Sequence, residues 1–440
     1  MSAVGLSGCQ DGGAAGVPAD WVVLQIGEMT EVSAGGTPAT GNESYWFPPE
    51  VPWMSSGEVH KRRIFTTEKR ISILGLTKSA AKLFPKKSVV MALAGQGKTR
   101  GCVAVLEAEV ATNQSLAAIY PSKAFDTDFL FHNLDWRYKE LRSLSSGEGG
   151  RGGLNLSIIK SVPIGLPPLL EQRKIAAILT AVDDKLDVIA RQIEATQTLK
   201  QGLMQTLFAQ GVGTQDADGR WVPHAEFKES ELGEIPAGWT LMPLEELAVE
   251  NITYGVVQPG ESVEGGVPLV RGGDIKGGRI AANLRTVSTE ISNQFKRTIL
   301  KGGELLVSLV GYPGETVVVP GQLAGANIAR QAGMIRTGSV SMSEFIHCYL
   351  SSPVGKSFLL AGMIGSAQQV INLKALREVV IPLPTVAERE RICSICSAVT
   401  KKLQALEDKQ SGFQDLKRGL MQKLLTGEWR VSLDAIANGT

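Results

Sequence analysis

The chain has 440 residues with 45 Lys and Arg against 44 Asp and Glu, 43% hydrophobic residues and 20% charged ones. That balance describes a globular protein and excludes a disordered or collagen-like one, and the length calls for two to four domains. No apolar run approaches the ~18 residues of a membrane span; five scattered cysteines and four histidines point to a reducing, cytoplasmic setting without a metal centre.

Residues 1–16 lack the basic and apolar regions of a secretory signal and read as a mobile tail. From 17 to 166, short apolar runs such as "SVVMAL" and "CVAVLEAEV" are bounded by Gly and Pro and indicate strands. A helical piece over 125–144 makes this a mixed α+β domain. Between residues 58 and 100, eleven Lys and Arg stand against two acids, a concentration suited to a polyanion. "HKRRI" places Lys61, Arg62 and Arg63 at a strand end, and "MALAGQGKTRG" places Gln96, Lys98 and Arg100 in one glycine turn. Lys and Arg neutralise phosphates, while Arg and Gln can bond bidentately to guanine and adenine edges. The same turn offers an alternative, a nucleotide-binding phosphate loop centred on Lys98. The full pattern G-x-x-x-x-G-K-[ST] has Ala92 at its first glycine, and the residues after Gly101 alternate like a strand instead of opening the required helix.

Residues 167–210 form a helical region. Pro168 and Glu171 mark its start, and Ile175, Leu179, Val182, Leu186 and Ile189 recur at heptad spacing before Gly211 stops it. Residues 211–234 are polar and aperiodic and read as a linker. A second α+β domain covers 235–383, with strand-like "ELLVSLV" and "TVVVP" and a helical piece over 343–360. Its basic block, seven Lys and Arg against two acids over 271–301, makes Arg271, Lys276 and Arg279 candidate DNA contacts. Tyr312, Arg330, Gln368 and Gln369 join them. Residues 384–427 repeat the helical region, with Thr385 and Glu388 at its start and a seam of Ile392, Cys396, Val399, Leu403 and Leu406. Cys396 thereby becomes a seam residue rather than half of a zinc pair. Thr196, Lys200, Gln410 and Lys417 interrupt the two seams. Residues 428–440 form a C-terminal tail.

These parts are one unit written twice. From Asn155 to Phe208, 21 of 54 residues are identical to those 217 positions later, without a gap. "VPADW" (17–21) likewise meets "IPAGW" (235–239), and "VPWMSSGEVHKRRI" (51–64) meets "VPLVRGGDIKGGRI" (267–280). A single duplication predicts a pseudo-two-fold protein. Each long helix, about 60 Å at ~1.5 Å per residue, then finds its partner in its own repeat, packed antiparallel. Signatures of catalysis are missing: there is no Gly-x-Ser-x-Gly, no His-Glu-x-x-His, and no Asn/Asp-Pro-Pro-aromatic run of an amino-methyltransferase.

"FKESELGEIPAGW" (227–239), "IPLP" (381–384), "LPPLLEQRKIAAIL" (166–179) and the two "LKxGLMQxL" segments resemble the DNA-specificity subunit of type I restriction–modification enzymes. The resemblance spans nearly the whole chain. It implies two target-recognition domains, each reading one half of a bipartite double-stranded DNA sequence, and two helices in an antiparallel coiled coil that sets the spacer. It further implies a non-catalytic chain that docks two methyltransferase subunits and, through them, motor–nuclease subunits. S-adenosylmethionine, ATP and Mg are then expected on those partners, with no cofactor in this chain. One departure lies at the helix starts, where Glu390 stands in place of Arg173 and "AERER" in place of "LEQRK".

Overall fold

The computed structural model describes residues 17–95, 98–144, 153–361, 363–364 and 370–431. The tail 1–16, Gln96, Gln368, Gln369 and residues 432–440 lie outside that set. The chain divides into two compact units: one runs up to Ala190 and resumes at Lys409, and the other is Arg191–Asp408.

In the first unit, a five-stranded sheet runs in the order Val32–Ala34, Leu116–Ile119, Val89–Ala92, Val103–Leu106, Arg63–Ile64. Its three central strands are buried at every position. Side chains of successive residues leave a strand on opposite faces, so parity sorts the core. Val89, Met91, Val103, Val105, Ala117 and Ile119 face a cluster built with α1 (Thr127–Trp136). Val90, Ala92, Ala104, Leu106, Leu116 and Ala118 face a second cluster with Met54 and Ile64. This double burial is why the strands read as continuous apolar runs. A four-stranded sheet, Lys69–Ile71, Val51–Met54, Val110–Thr112, Leu83–Phe84, contains one parallel pair, Trp53 beside Ala111. A ribbon of Val22–Gln25 with Pro163–Leu166 leads into α2 (Leu169–Gln210).

The second unit repeats this plan. Thr253–Tyr254, Ala332–Ile335, Leu305–Ser308 and Thr316–Val318 form the main sheet. Arg285–Val287, Val267–Val270 and Asn327–Ile328 form the other, again with one parallel pair, Leu269 beside Asn327. Thr240–Pro243 pairs with Val380–Leu383 as the entry ribbon. Helix α3 (Val340–Leu350) takes the place of α1, and α4 (Val386–Leu425) that of α2. The repeat seen in the sequence is therefore a repeat of strand order and direction, to which the first unit adds Arg63–Ile64 and Leu83–Phe84 at its sheet edges.

Each unit holds one end of both long helices. In the first, Ile175, Ala176 and Leu179 of α2 share a core with Met421, Leu424 and Leu425 of α4. In the second, Met204, Leu207 and Phe208 of α2 share a core with Ile392 and Cys396 of α4. The start of one helix meets the end of the other, so the two run antiparallel. Of the remaining seam positions, Val182, Ile189 and Leu406 are buried, while Leu186, Val399 and Leu403 are half-buried. Both helices stop at a glycine in the left-handed region, Gly211 (φ 71°) and Gly427 (φ 76°). A Cβ there would lie 2.3 Å from Glu388 Oε1 and 2.5 Å from Pro18 Cγ respectively, so glycine is demanded twice over.

Three expectations need refinement. The helical piece over 125–144 is two helices, α1 and Tyr138–Ser143. That over 343–360 is α3 and Pro353–Ala361, separated where Pro353 disfavours the helical conformation of the residue before it. Residues 211–234 are folded: they build the hairpin of Thr214–Gln215 with Trp221–Val222, then that of Phe227–Ser230 with Gly233–Pro236. Turn chemistry makes both, since Asp216 Oδ1 accepts the backbone N–H groups of Asp218 and Arg220 at 2.9 Å each, and Gly219 and Gly233 take positive φ. Polar composition concealed these hairpins because their strands are too short for a periodic signal.

Candidate nucleic-acid interface

In each unit the strand that leads into the basic block ends in a one-turn helix held by an internal carboxylate. Glu58, buried to 4% exposure, accepts the N–H of Ser55 at 3.1 Å, the N–H of Glu68 at 3.1 Å and Lys61 Nζ at 2.8 Å. Asp274 plays the same part for Arg271, whose N–H, Nε and NH2 donate to it at 2.9, 3.0 and 2.8 Å. This shared turn explains why "SGEV" and "GGDI" align.

The cations after that turn have different fates. Lys61 lies between Glu58 and Glu68 at 2.8 and 3.1 Å. Arg62, in the left-handed region at φ 62°, turns inward. It donates to both oxygens of Asp135 on α1 at 2.9 and 3.0 Å and to Asp183 on α2 at 3.0 Å, over the ring of Phe131. Lys417 of α4 completes the group, 2.7 Å from Asp183 and 3.6 Å from Asp135. Arg63 pairs with Glu107 and Asp128, both at 2.7 Å. The structure thus engages Arg62 and Arg63 as ties between the recognition domain and its helices, a use that differs from the expected outward contact with DNA. Burial raises the Asp183 pKa, and Arg62 and Lys417 more than offset it, so the carboxylate sits below its ordinary value. His132 beside it is fully buried, bonded to Thr180 Oγ1 at 3.1 Å, and held by burial down to about 4, hence neutral at pH 7.

The glycine turn bridges two antiparallel strands, Val89–Ala92 and Val103–Leu106. Gly101 N–H donates to Ala92 O at 2.9 Å and closes it. No helix N-terminus lies after Lys98, so the phosphate-loop alternative lacks the amides that would grip a nucleotide. Lys98 is exposed and, among the described residues, has no ion pair; its carbonyl accepts Tyr138 OH at 2.9 Å. Arg100 is only 8% exposed, which removes it from the surface on which a base would be read.

In the second unit Arg271, Lys276, Arg279 and Arg330 are all exposed. Lys276 and Arg279 face each other across a two-residue turn, Gly277-Gly278, in which both glycines take positive φ. The Lys276 ammonium lies 4.9 Å from the centre of the Tyr312 ring, and Tyr312 is 44% exposed. Glu315 props this hairpin, accepting Gly277 N–H and Lys356 Nζ at 2.7 Å each. Among the described residues no carboxylate pairs with Lys276, Arg279 or Arg330, whereas Arg271 is held by Asp274. Three cations without a carboxylate and an aromatic face thus sit on glycine-rich loops, a surface chemically suited to phosphates and bases.

Sequence reasoning passed over the acidic anchors. Glu388, at 1% exposure, accepts the N–H groups of Val212 and Gly213 at 2.8 and 3.1 Å, His224 Nε2 at 2.9 Å and Trp239 Nε1 at 3.0 Å. Its counterpart Glu171 accepts Arg430, which also grips Asp20. Both carboxylates were legible only as favourable charges at helix starts. Among the described residues, no group of three or more His, Cys, Asp or Glu is placed to hold a metal ion, and no helix is long and apolar enough to cross a membrane.

Fold and surface together define a class: a duplicated protein of two α+β units, in each of which the start of one long helix packs against the end of the other. Residues 18–197 match the family model of the type I restriction modification DNA specificity domain. The specificity subunit of the type I restriction enzyme MjaVIII of Methanocaldococcus jannaschii is 25% identical over 432 residues, 94% of each chain. That of EcoBI of Escherichia coli is 29% identical over 295 residues, 64% of this chain and 60% of that one. The crystal structure of a type I restriction–modification S subunit from M. genitalium superposes with a TM-score of 0.58 at 15% identity, covering 93% of this chain and 97% of that one. The chain is thus similar, over nearly its whole length, to DNA-specificity subunits of type I restriction–modification systems.

Proposed function

We propose that this chain reads a bipartite, asymmetric double-stranded DNA target, one half-site per recognition domain, while its helix pair sets the unread spacer. The observation that carries the reading is one strand plan built twice and dressed with unlike loops: exposed Lys98 on the first glycine turn, against Lys276, Arg279, Tyr312 and Arg330 in the second unit. Similar frames with different contact chemistry suit two different half-sites. In this reading residues 17–166 and 235–383 are the readers, and 167–210 and 384–427 the helical regions.

The chain itself performs no chemistry in this reading. Two methyltransferase subunits using S-adenosylmethionine dock on it, and motor–nuclease subunits using ATP and Mg join them, in the cytoplasm. Support for docking comes from apolar residues exposed at matching places on both long helices. Leu199 is 55% exposed and Leu416, 217 residues later, 49%; Leu169 and Val386 at the helix starts are 36% and 60% exposed. Unpaired apolar side chains repeated by the duplication suit a partner that binds twice.

Methylome sequencing of cells expressing the chain with its methyltransferase tests this. A methyladenine motif of two unlike halves separated by a fixed unread spacer is expected. A continuous motif, or methylation unchanged when the chain is omitted, overturns the reading.

A further inference from the structure

The second unit carries three thiols that none of the polar contacts described so far uses. Cys348 lies on α3, and Cys393 and Cys396 lie one helical turn apart on α4. Cys348 and Cys393 pack against the same buried cluster that contains Cys396, so three of the chain's five cysteines gather where α3 meets α4. Cys396 is 5% exposed, and the other two are half-buried. All three, with His347, line an open cleft of about 730 Å³. Cys348, Cys396, His347 and Lys200 line a second cleft of about 470 Å³.

Packing alone does not ask for sulfur here. In the first copy, Ala176 and Leu179 occupy the positions of Cys393 and Cys396, and they fill the same helix seam as hydrocarbons at 4% and 0% exposure. Matching His132 with His347 puts Asn133 at the position of Cys348. All three thiols are therefore peculiar to the second copy, on two different elements that meet.

Their surroundings also divide their roles. The neighbouring Cys348 thiol lowers the Cys396 pKa against the opposing effect of burial, and the Lys200 ammonium acts in the same direction. Cys348 itself is pushed well above an ordinary thiol by the neighbouring Cys393 and Cys396 thiols and by burial. Thiolate character selects the sulfur that is oxidised first.

We propose that Cys396 and Cys348 form a peroxide-sensitive pair that closes to a disulfide between α3 and α4. The Cys396 thiolate attacks one oxygen of a hydroperoxide; the O–O bond breaks, the sulfur becomes a sulfenic acid, and the leaving oxygen departs as water (or an alcohol) after taking a proton. The Cys348 sulfur then attacks the sulfenic sulfur, the S–O bond breaks, and the second oxygen leaves as water carrying the Cys348 proton. Two thiols and one hydroperoxide give one disulfide and two hydroxyl-bearing products. The bond would fasten the recognition domain's helix to the long helix it packs on.

The full chain, reduced and then exposed to a small excess of hydrogen peroxide, is alkylated and digested with trypsin without reduction. Cleavage after Lys and Arg leaves Cys348 in peptide 337–356 and both helical cysteines in peptide 392–401. The expected product is these two peptides joined, lighter by two hydrogens than their sum, with fragment ions placing the bond on Cys396. The link should vanish in Cys348→Ser and Cys396→Ser and persist in Cys393→Ser. Fragment assignment in the wild-type chain needs no variant to fold. A bond confined to peptide 392–401, a link through Cys393, or full alkylation of all three thiols after peroxide overturns the proposal.

Discussion

Replacing Asp183 with alanine removes the carboxylate on which a loop and both long helices converge. Asp183 accepts from Arg62 at 3.0 Å and from Lys417 at 2.7 Å, with its own side chain 19% exposed. Exposed ion pairs contribute about 0.2–1 kcal/mol, and breaking a fully buried one costs about 3–5 kcal/mol. This site lies between, because Asp135 still holds Arg62 with two hydrogen bonds and stands 3.6 Å from Lys417. A loss of about 2 kcal/mol is expected, which for a unit of this size lowers Tm by roughly 4–8 °C. The pH dependence has a definite sign. The folded-state pKa of Asp183 lies below its unfolded value, so its stabilisation is fully present above about pH 4 and fades as pH falls through the folded pKa. Calorimetry of the full chain, with hydrogen exchange measured over residues 127–136, reads both effects. Equal melting of wild type and Asp183→Ala at pH 7 would refute the reasoning, as would a difference that stays constant well below pH 4.

Glu388→Ala leaves four donors without their acceptor and should cost about 3–5 kcal/mol, seen as loss of the second unit's thermal transition and a changed Trp239 emission; an unaltered profile counts against the anchor. Lys276→Ala should weaken duplex binding across all sequences and reduce the slope of log affinity against log salt by about one, whereas Arg62→Lys should leave that slope unchanged and lower stability instead. Lys98→Ala should lower DNA affinity with no change in nucleotide binding by the isolated chain, and an ATP affinity that disappears with Lys98 would restore the rejected phosphate loop.

The duplication, the helix ends and the antiparallel seam were legible because each leaves a periodic or repeated trace. The 217-residue offset could be read directly, and Ile175 and Leu179 fell where heptad spacing put them. The charged residues were less transparent, since a cation in a loop looks the same whether it points out or in. Arg62 turns inward because Asp135 and Asp183, on elements 73 and 121 residues away in the chain, wait for it. One trace of this was present: Lys417 interrupts the α4 seam, and a cation on an apolar stripe signals an acid opposite. In the second copy Lys200 keeps the cation, but Thr400 stands where the offset would place Asp183, so the acid that centres the network is missing there.

The first unit is discontinuous in the chain, and this bears on how the protein is made. During synthesis the second unit, Arg191–Asp408, is complete before the stretch that returns to the first has been translated. Until Met421, Leu424 and Leu425 emerge, the apolar face of Ile175, Ala176 and Leu179 has no cover. Arg430, which joins Glu171 to Asp20, arrives later still. A nascent or prematurely terminated chain thus carries a finished second module beside an unclosed first one. A stop codon anywhere from Lys409 to Met421 should yield chaperone-bound or degraded protein rather than a half-specific reader.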